Sequence, residues 1–599
     1  MGRFGARNNL WLLGASAVLI GLAVGCALAL LKRWPLRGAA TVLPAPQRLS
    51  VPTAVAELPP GGAAGEPIEF SDVTPQSGVT FRHTHGGSGQ LFIMETMSAG
   101  LALVDYDGDG LIDIYFPNGA PLRGSPPETS AHHALYRNLG AWRFEDVSER
   151  SGVACRAFGL GVTAGDYDND GHADLYLSNF GPNVLYHNRG DGTFADVSSR
   201  AGVQRGTRVG AGVAMLDADC DGLLDLFVAN YVRFAYETHK PRVIGGVPFY
   251  PGPLDHSPET NQLFLNRGDG TFVDASTQSG IARPSGTGMG VSCGDYDDDG
   301  DTDIYVANDE MANFLFANDG RGRFSEVAIP SGVAYDIAGI PQASMGVDFG
   351  DFDNDGLLDL YVTAYRNESA TLYRNLGGGF FHDVTSLARA GEGTPSQVTW
   401  GCALVDLDND GDRDLFIACG HTDQTIGQRE PKASYLARSI VLRNLLAETG
   451  KARFVNVSDA CGAGLQALRC ARGAAFDDLD NDGDIDVVIL NSRDRASLLR
   501  NMLIERGCRN HWLQIRLRGV KTNRDGIGAR VRVRAGDLTL VDEVHSGRGY
   551  QSHWGSRLHF GLGPHQRVDR IEIRWIGGGV DVLEDVRADQ LLVIAEGTR

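Results

Sequence analysis

The sequence predicts an all-β protein: a seven-bladed β-propeller whose last blade is closed by an N-terminal strand, followed by a small C-terminal β-sandwich-like domain and preceded by one N-terminal transmembrane helix. Three observations predict the ring. A nine-residue acidic loop recurs seven times. A glycine-led run of small or apolar residues stands before each copy, and β-branched or aromatic residues follow it. The outer-strand motif that is missing after the seventh copy stands alone before the first.

Taken in order, residues 10–31 form an uncharged, largely apolar run of 22, with Arg3 and Arg7 before it and Lys32, Arg33 and Arg37 after. That length spans a bilayer as a helix. A cleaved signal peptide has a shorter apolar core and a small-residue cleavage site, so residues 1–34 read as a signal-anchor. Basic residues on both flanks leave its orientation open; the calcium loops described next place the large domain outside the cell. Residues 35–67, rich in Pro, Ala and Gly without apolar periodicity, read as a linker.

The loop is Asp166-Tyr167-Asp168-Asn169-Asp170-Gly171-His172-Ala173-Asp174 and its relatives. Each copy keeps Asp at positions 1, 3, 5 and 9 and Gly at position 6. The candidate metal ligands are therefore Asp105, Asp107, Asp109 and Asp113; Asp166, Asp168, Asp170 and Asp174; Asp217, Asp219, Asp221 and Asp225; Asp295, Asp297, Asp299 and Asp303; Asp351, Asp353, Asp355 and Asp359; Asp406, Asp408, Asp410 and Asp414; and Asp478, Asp480, Asp482 and Asp486. Carboxylates this dense repel unless a cation sits among them, and hard oxygens at alternating positions suit calcium. Up to seven calcium ions follow. An EF-hand is excluded because position 12 holds Phe116 and Leu177 in the first two copies, where that motif needs an acid, and because the flanks read as strands.

The repeat unit is larger than the loop and fills residues 68–505. Five residues before each first Asp stands Gly100, Gly161, Gly212, Gly290, Gly346, Gly401 or Gly473, suited to a crowded strand beside a central axis. A third strand carries Leu-Tyr-x-Asn or a relative, as in Leu185-Tyr186-His187-Asn188. A fourth carries Phe-x-Asp-Val, as in Phe194 to Val197. Four strands per repeat is a propeller blade. Blade seven lacks its fourth strand, and Phe70-Ser71-Asp72-Val73 supplies it, removing the free edges of an open array. Two insertions, residues 231–261 and 420–439, break the rhythm, and long loops on a rigid scaffold carry function or are tolerated surface.

The net charge of -21 is mostly metal ligand: the loops hold 28 aspartates, and seven divalent ions offset two thirds of the excess. No basic stretch interleaved with aromatics points to nucleic acid. Nine cysteines lack close metal-type pairing, and Cys461 and Cys470 read either as a loop-closing disulfide or as buried thiols.

These residues resemble the FG-GAP/VCBS repeats of integrin-α-type seven-bladed propellers, over residues 70–501. The tail sharpens the likeness. Asn510-His511-Trp512-Leu513, Asn523-Arg524-Asp525-Gly526-Ile527-Gly528-Ala529, Ser546-Gly547-Arg548-Gly549-Tyr550 and His559-Phe560-Gly561-Leu562-Gly563 resemble the ASPIC/UnbV domain, which follows such propellers in the cartilage acidic protein family. Where that family has Trp-Pro-Ser-Gly this chain has Trp575-Ile576-Gly577-Gly578. On its own residues, 509–599 is a distinct unit of alternating strands, with 15 Lys or Arg against 11 acidic residues, docked on an acidic propeller. Its arginine-rich strands read as solvated faces.

No nucleophile–base pairing is legible. His83 and His85, with Glu95 downstream, share a face if their segment is a strand; His545, His553 and His559 with Tyr550 and Trp554 form a second group. Asp255, Glu259, Asp309 and Glu310 are acids outside the loops. Two functions stand: a calcium-stabilised, membrane-anchored binding or adhesion module for an extracellular protein or carbohydrate, or an exported enzyme acting on polysaccharide or a small molecule. A flat insertion-bearing face favours the first, and a deep acid- or histidine-lined pocket the second.

Overall fold

A computed structural model describes residues 65–126, 131–204, 206–244 and 246–598. The expected membrane helix at 10–31 lies outside them; no helix among the described residues is long and apolar enough to cross a membrane. The helices among the described residues are single turns, five of them stopped by a left-handed glycine such as Gly152 or Gly202.

Seven four-stranded antiparallel sheets follow one another along residues 70–501. Blade 2 is typical: Phe158–Gly165, Asp174–Phe180, Val184–Asn188 and Phe194–Asp196. Every residue of its first strand is buried. The seven first strands pack in cyclic order, and that of blade 7, Ala471–Asp477, lies against that of blade 1, Ala102–Val104. The arrangement is propeller-like. Phe70–Asp72 pairs antiparallel with Ser497–Asn501, Phe70 opposite Asn501, as the outer strand of blade 7.

The glycines expected near the axis are required there. A Cβ on Gly161 would stand 2.1 Å from the Ala211 carbonyl of the next blade, and on Gly346 2.0 Å from that of Trp400. A Cβ on Gly473 would stand 2.6 Å from Cα of Gly100, across the closure of the ring. Between blades, the third-strand asparagine reaches back: Asn188 Nδ2 donates to the Tyr106 carbonyl, Asn266 to that of Tyr167, and Asn138 to that of Leu479. Neighbouring blades are thus pinned by polar bonds as well as by apolar cores.

Residues 511–595 form two further sheets. Arg557–Gly563, His511–Arg518 and Gln590–Ala595 make one; Leu538–Glu543, Arg530–Ala535, Arg567–Arg574 and Val580–Arg587 make the other. Leu513, Ile515, Val531, Val533, Phe560 and Ile573 share one buried core between them. All eight cysteines among the described residues are free thiols. Cys461 and Cys470 are therefore small buried hydrophobes, the second of the two readings their spacing allowed.

Candidate functional site

First strands run toward the acidic loops and second strands run back, so the loops gather at one end of the ring and both insertions at the other. Each end is a site.

At the loop end, position 1 makes the turn. Its Oδ2 accepts the N–H of the position-6 glycine in all seven copies, at 2.7 to 3.2 Å. Those glycines all have positive φ, 86° at Gly110 and 105° at Gly483, which side chains resist. Position 9 is a buttress: in blade 2, Asp174 Oδ1 accepts Asn188 N–H at 2.7 Å and Oδ2 accepts Tyr167 N–H at 3.2 Å. Position 3 is different. Asp107, Asp219, Asp297, Asp353, Asp408 and Asp480 each bury an Oδ1 that has no hydrogen-bond partner. A recurring orphaned carboxylate oxygen costs free energy unless a cation meets it. Clusters such as Asp105, Asp107 and Asp113, or Asp217, Asp219 and Asp221, bring ligand atoms within 4.8 Å of one another. Burial, then the Asp525 carboxylate, pushes Asp166 up to about 8; burial, and beyond it Asp221 and Asp219, pushes Asp217 up to about 7. These groups fit a divalent ion. Among the described residues a third-strand basic side chain also reaches into several loops: Arg137 lies 2.6 Å from Asp107, His187 3.2 Å from Asp168, Arg374 2.5 Å from Asp353 and Arg500 2.7 Å from Asp480.

The C-terminal domain sits on this end, which corrects the expectation of solvated arginine faces. Arg516 pairs with Asp105 at 2.8 Å, Arg574 with Asp298 at 2.9 Å, and buried Arg557 with Asp477 at 2.5 Å. Carboxylates cross the other way: Asp525 accepts Asp166 N–H at 2.7 Å, and Glu543 accepts Asp295 N–H at 3.0 Å. Arg534 and Arg567 do stay exposed. The acidic loops give the basic domain its docking surface, a complementarity visible only once the loops share one face.

From this domain residues 545–554 enter the centre of the ring. Gly549 exchanges backbone bonds with Val347, and His553 with Leu101 and Leu103. Arg548 pairs with Asp348 at 2.6 Å, both buried, and its guanidinium lies 3.8 Å over the Trp554 ring. Tyr550 goes deepest: its hydroxyl donates to the Met97 carbonyl at 3.1 Å and its ring meets Trp400. His545 and His553 are thus buried structural residues, and His559 hydrogen-bonds Asn409 at 2.7 Å.

At the opposite end Trp400 looks the other way, into a cavity of about 280 Å³. Met289 and Met345 share its floor; Tyr231, Asp309, Glu310 and Tyr365 form its walls. Both insertions complete it, the first with Phe249 and Tyr250, the second with His421, Asp423 and Glu430. Arg429 bridges them, 2.6 Å from Asp423 and 4.6 Å over the Phe249 ring. Tyr231 donates to Asp309 at 2.6 Å, and burial pushes that carboxyl up to about 7. Glu310, beside it, has φ 59°, a strained setting for its side chain. A second cavity of about 270 Å³ shares Phe249, Tyr250, Thr422 and Asp423 and is lined by His85, Glu95 and Arg493.

Residues 79–93 are not a strand, so His83 and His85 do not share a strand face; Arg82 makes only an isolated bridge with Arg495. His83 is buried and its Nδ1 accepts Arg493 N–H at 3.2 Å, whereas His85 lies 3.8 Å from Glu95. Burial lowers His83 to about 3 and His85 to about 4, so both are neutral at pH 7. Asp255 pairs with Arg242, and Glu259 lies 3.4 Å from Arg233. Sequence reasoning found the insertions and Asp309 but not their convergence with Trp400 and Tyr365. Nothing in the local pattern of either residue marks it.

Family models match along the chain. The FG-GAP-like repeat model matches residues 105–177, 166–228, 254–306, 295–362 and 351–417, and the ASPIC and UnbV model matches 519–599. The chain is an FG-GAP repeat protein with a C-terminal ASPIC/UnbV domain. This FG-GAP protein is 26% identical over 459 residues to cartilage acidic protein 1 of Mus musculus, covering 73% of this chain. It is 27% identical over 441 residues to that of Homo sapiens, covering 70%. The match spans 64% of the mouse relative and 60% of the human one. Among solved structures, a lectin of Agrocybe aegerita that recognises non-reducing terminal N-acetylglucosamine is 16% identical, covering 60% of this chain and 79% of its own, with a TM-score of 0.35. BBS1N in complex with ARL6DN is 8% identical, covering 73% and 97%, with a TM-score of 0.40. At those scores neither carries an argument about function.

Proposed function

We propose that this FG-GAP protein is a calcium-stabilised binding module, exported and held at a membrane by residues 10–31, that takes a carbohydrate end of an extracellular ligand in the cavity between its insertions. One observation carries the reading: two insertions far apart in sequence converge on the axis and wall a cavity that neither could form alone. Aromatic faces at Phe249, Tyr250 and Tyr365 offer stacking surfaces, while Asp423, Glu430 and Arg366 offer hydrogen bonds to hydroxyls. Calcium in up to seven loops is the structural partner in this reading, cancelling repulsion at the end the C-terminal domain covers.

A second reading, turnover of the bound saccharide, is favoured by the insertion-bearing face itself, which is not flat but holds a cavity lined by Glu310, His421, Asp423 and Glu430, and by Asp309 within it. A carboxyl held near 7 and hydrogen-bonded by Tyr231 is a proton donor at neutral pH. One experiment addresses both. The full chain in calcium is screened on a glycan array and each hit is incubated and checked for products. Binding that weakens about ten-fold in Tyr365→Ala, without products, supports the module. Products that vanish in Asp309→Asn decide for the enzyme, and no glycan bound at millimolar concentration overturns both.

A further inference from the structure

Blades 6 and 7 depart from the other five just after the third-strand asparagine. In blades 1 to 5 a left-handed glycine follows two residues later: Gly140, Gly190, Gly268, Gly320 and Gly377. In blades 6 and 7 the same place reads Asn444-Leu445-Leu446-Ala447-Glu448 and Asn501-Met502-Leu503-Ile504-Glu505. Both bring a glutamate, and both loops carry a fifth aspartate at position 7, Asp412 and Asp484. The two substitutions are joined in space. Ala447 N–H donates to Asp412 Oδ2 at 2.8 Å, and Ile504 N–H to Asp484 Oδ2 at 3.1 Å, so each new turn is moored to its extra aspartate.

The other oxygen of each is orphaned. Asp412, 1% exposed, and Asp484, fully buried, each hold an Oδ1 without a hydrogen-bond partner. In blade 6 this goes further: both oxygens of fully buried Asp408 lack hydrogen-bond partners, as do both of Glu448, which pairs with the third-strand Arg443 at 3.3 Å. In blade 7, Arg500 bridges the position, pairing with Asp480, Asp482 and Glu505. Among the described residues, blade 6 therefore gathers the largest set of buried carboxylate oxygens without a hydrogen-bond partner around one loop.

We propose that the sixth loop is a cation site of a second class, in which Asp412 and Glu448 add their carboxylates to Asp406, Asp408, Asp410 and Asp414, and that it binds calcium more tightly than the other loops. Calcium takes six to eight oxygens, and its affinity rises with the number of charged ligands. In the other loops position 7 offers a carbonyl, or an aspartate without a glutamate beside it, as at Asp301; blade 7 has both acids, but there Arg500 pairs with two of the loop's own aspartates as well as with the glutamate, whereas in blade 6 both oxygens of Asp408 stay without a hydrogen-bond partner. The proposal rests on the loops being cation sites and is independent of the ligand in the axial cavity.

The test is calorimetric titration of calcium into the chelator-stripped full chain. The expected isotherm has a tight step of one ion followed by weaker ones. Glu448→Gln, at a half-buried position that tolerates the isostere, weakens the tight step about ten-fold or more, as does Asp412→Asn. Asp219→Asn in the third loop removes one weak ion and leaves the tight step in place. A single class of sites, or a tight step unmoved by Glu448→Gln in protein whose circular dichroism is unchanged, overturns the proposal. No calcium uptake at all by the wild type overturns the assignment of the loops themselves.

Discussion

The ring of Tyr550 stands edge-on to that of Trp400, centroids 4.9 Å apart and planes 75° from parallel. One residue belongs to the C-terminal domain and the other floors the cavity at the far end of the ring. Arg472 covers Trp400 as well, 4.0 Å over its ring, and donates to the carbonyls of Gly420 and His421, where the second insertion begins. Tyr550→Ala should therefore cost about 3–5 kcal/mol in denaturant unfolding, as for other large aromatic truncations in a core. Tyr550→Phe, which loses only the bond to the Met97 carbonyl, should cost about 1 kcal/mol. If the two variants unfold together, the tip of this segment is not packed as described.

Arg548 and Asp348 give a sharper test of the segment. Both are buried and their atoms lie 2.6 Å apart. Arg548→Met alone leaves an uncompensated carboxylate and should cost about 3–5 kcal/mol. Adding Asp348→Leu should restore part of that, because the pair's desolvation is removed while the buried Leu404 N–H, which Asp348 Oδ2 accepts at 2.8 Å, is left unpaired. A double-mutant cycle in urea reads the coupling; additive losses would contradict it.

Chelation should lower the melting temperature sharply, and added calcium should restore it. An ion bound only by the native state adds stability by mass action, about 2.7 kcal/mol at a hundred-fold excess over Kd for each site. Differential scanning calorimetry in calcium and in chelator measures the shift. Melting curves that superimpose would remove the cation from the loops.

In saturating calcium, stability should fall steeply below pH 6.5. His83, His553 and His559 are each lowered to about 3, with burial the leading cause in every case. Between pH 6.5 and 3 the unfolded chain binds protons at these histidines that the folded chain refuses. Their contribution is intact above 6.5 and is lost as pH drops toward 3. At pH 5 each loses about 2 kcal/mol. His553→Gln should flatten the fall, and an unchanged slope in a series of melts from pH 7 to 5 would show that this histidine is charged in the fold.

Much of the ring was legible because each blade repeats the same physical demands. Gly161 and Gly346 are glycines because the next blade's carbonyl occupies the place of a Cβ, and a repeated demand of that kind leaves a repeated letter. Phe70 was legible for the opposite reason, as a strand motif without a blade. Long-range encounters leave no period. Arg516 and Arg574 sit on strands that alternate like any solvated face, and only the gathering of seven loops at one end gives them carboxylates to meet. Trp400 and Tyr365 join the cavity for a similar reason: the axis brings their blades to it, not any spacing in the chain.

The pairing of Phe70 with Asn501 sets a timetable for synthesis. Roughly 430 residues must leave the ribosome after Phe70 before its partner exists, about 20 to 90 s at ordinary rates of elongation. Through that interval blades 1 to 6 can fold in succession while the hydrogen-bonding edge of Phe70–Asp72 waits unmatched. Birth of the last blade is the moment the molecule stops being a growing row and becomes a circle, and truncation anywhere before it strands both ends.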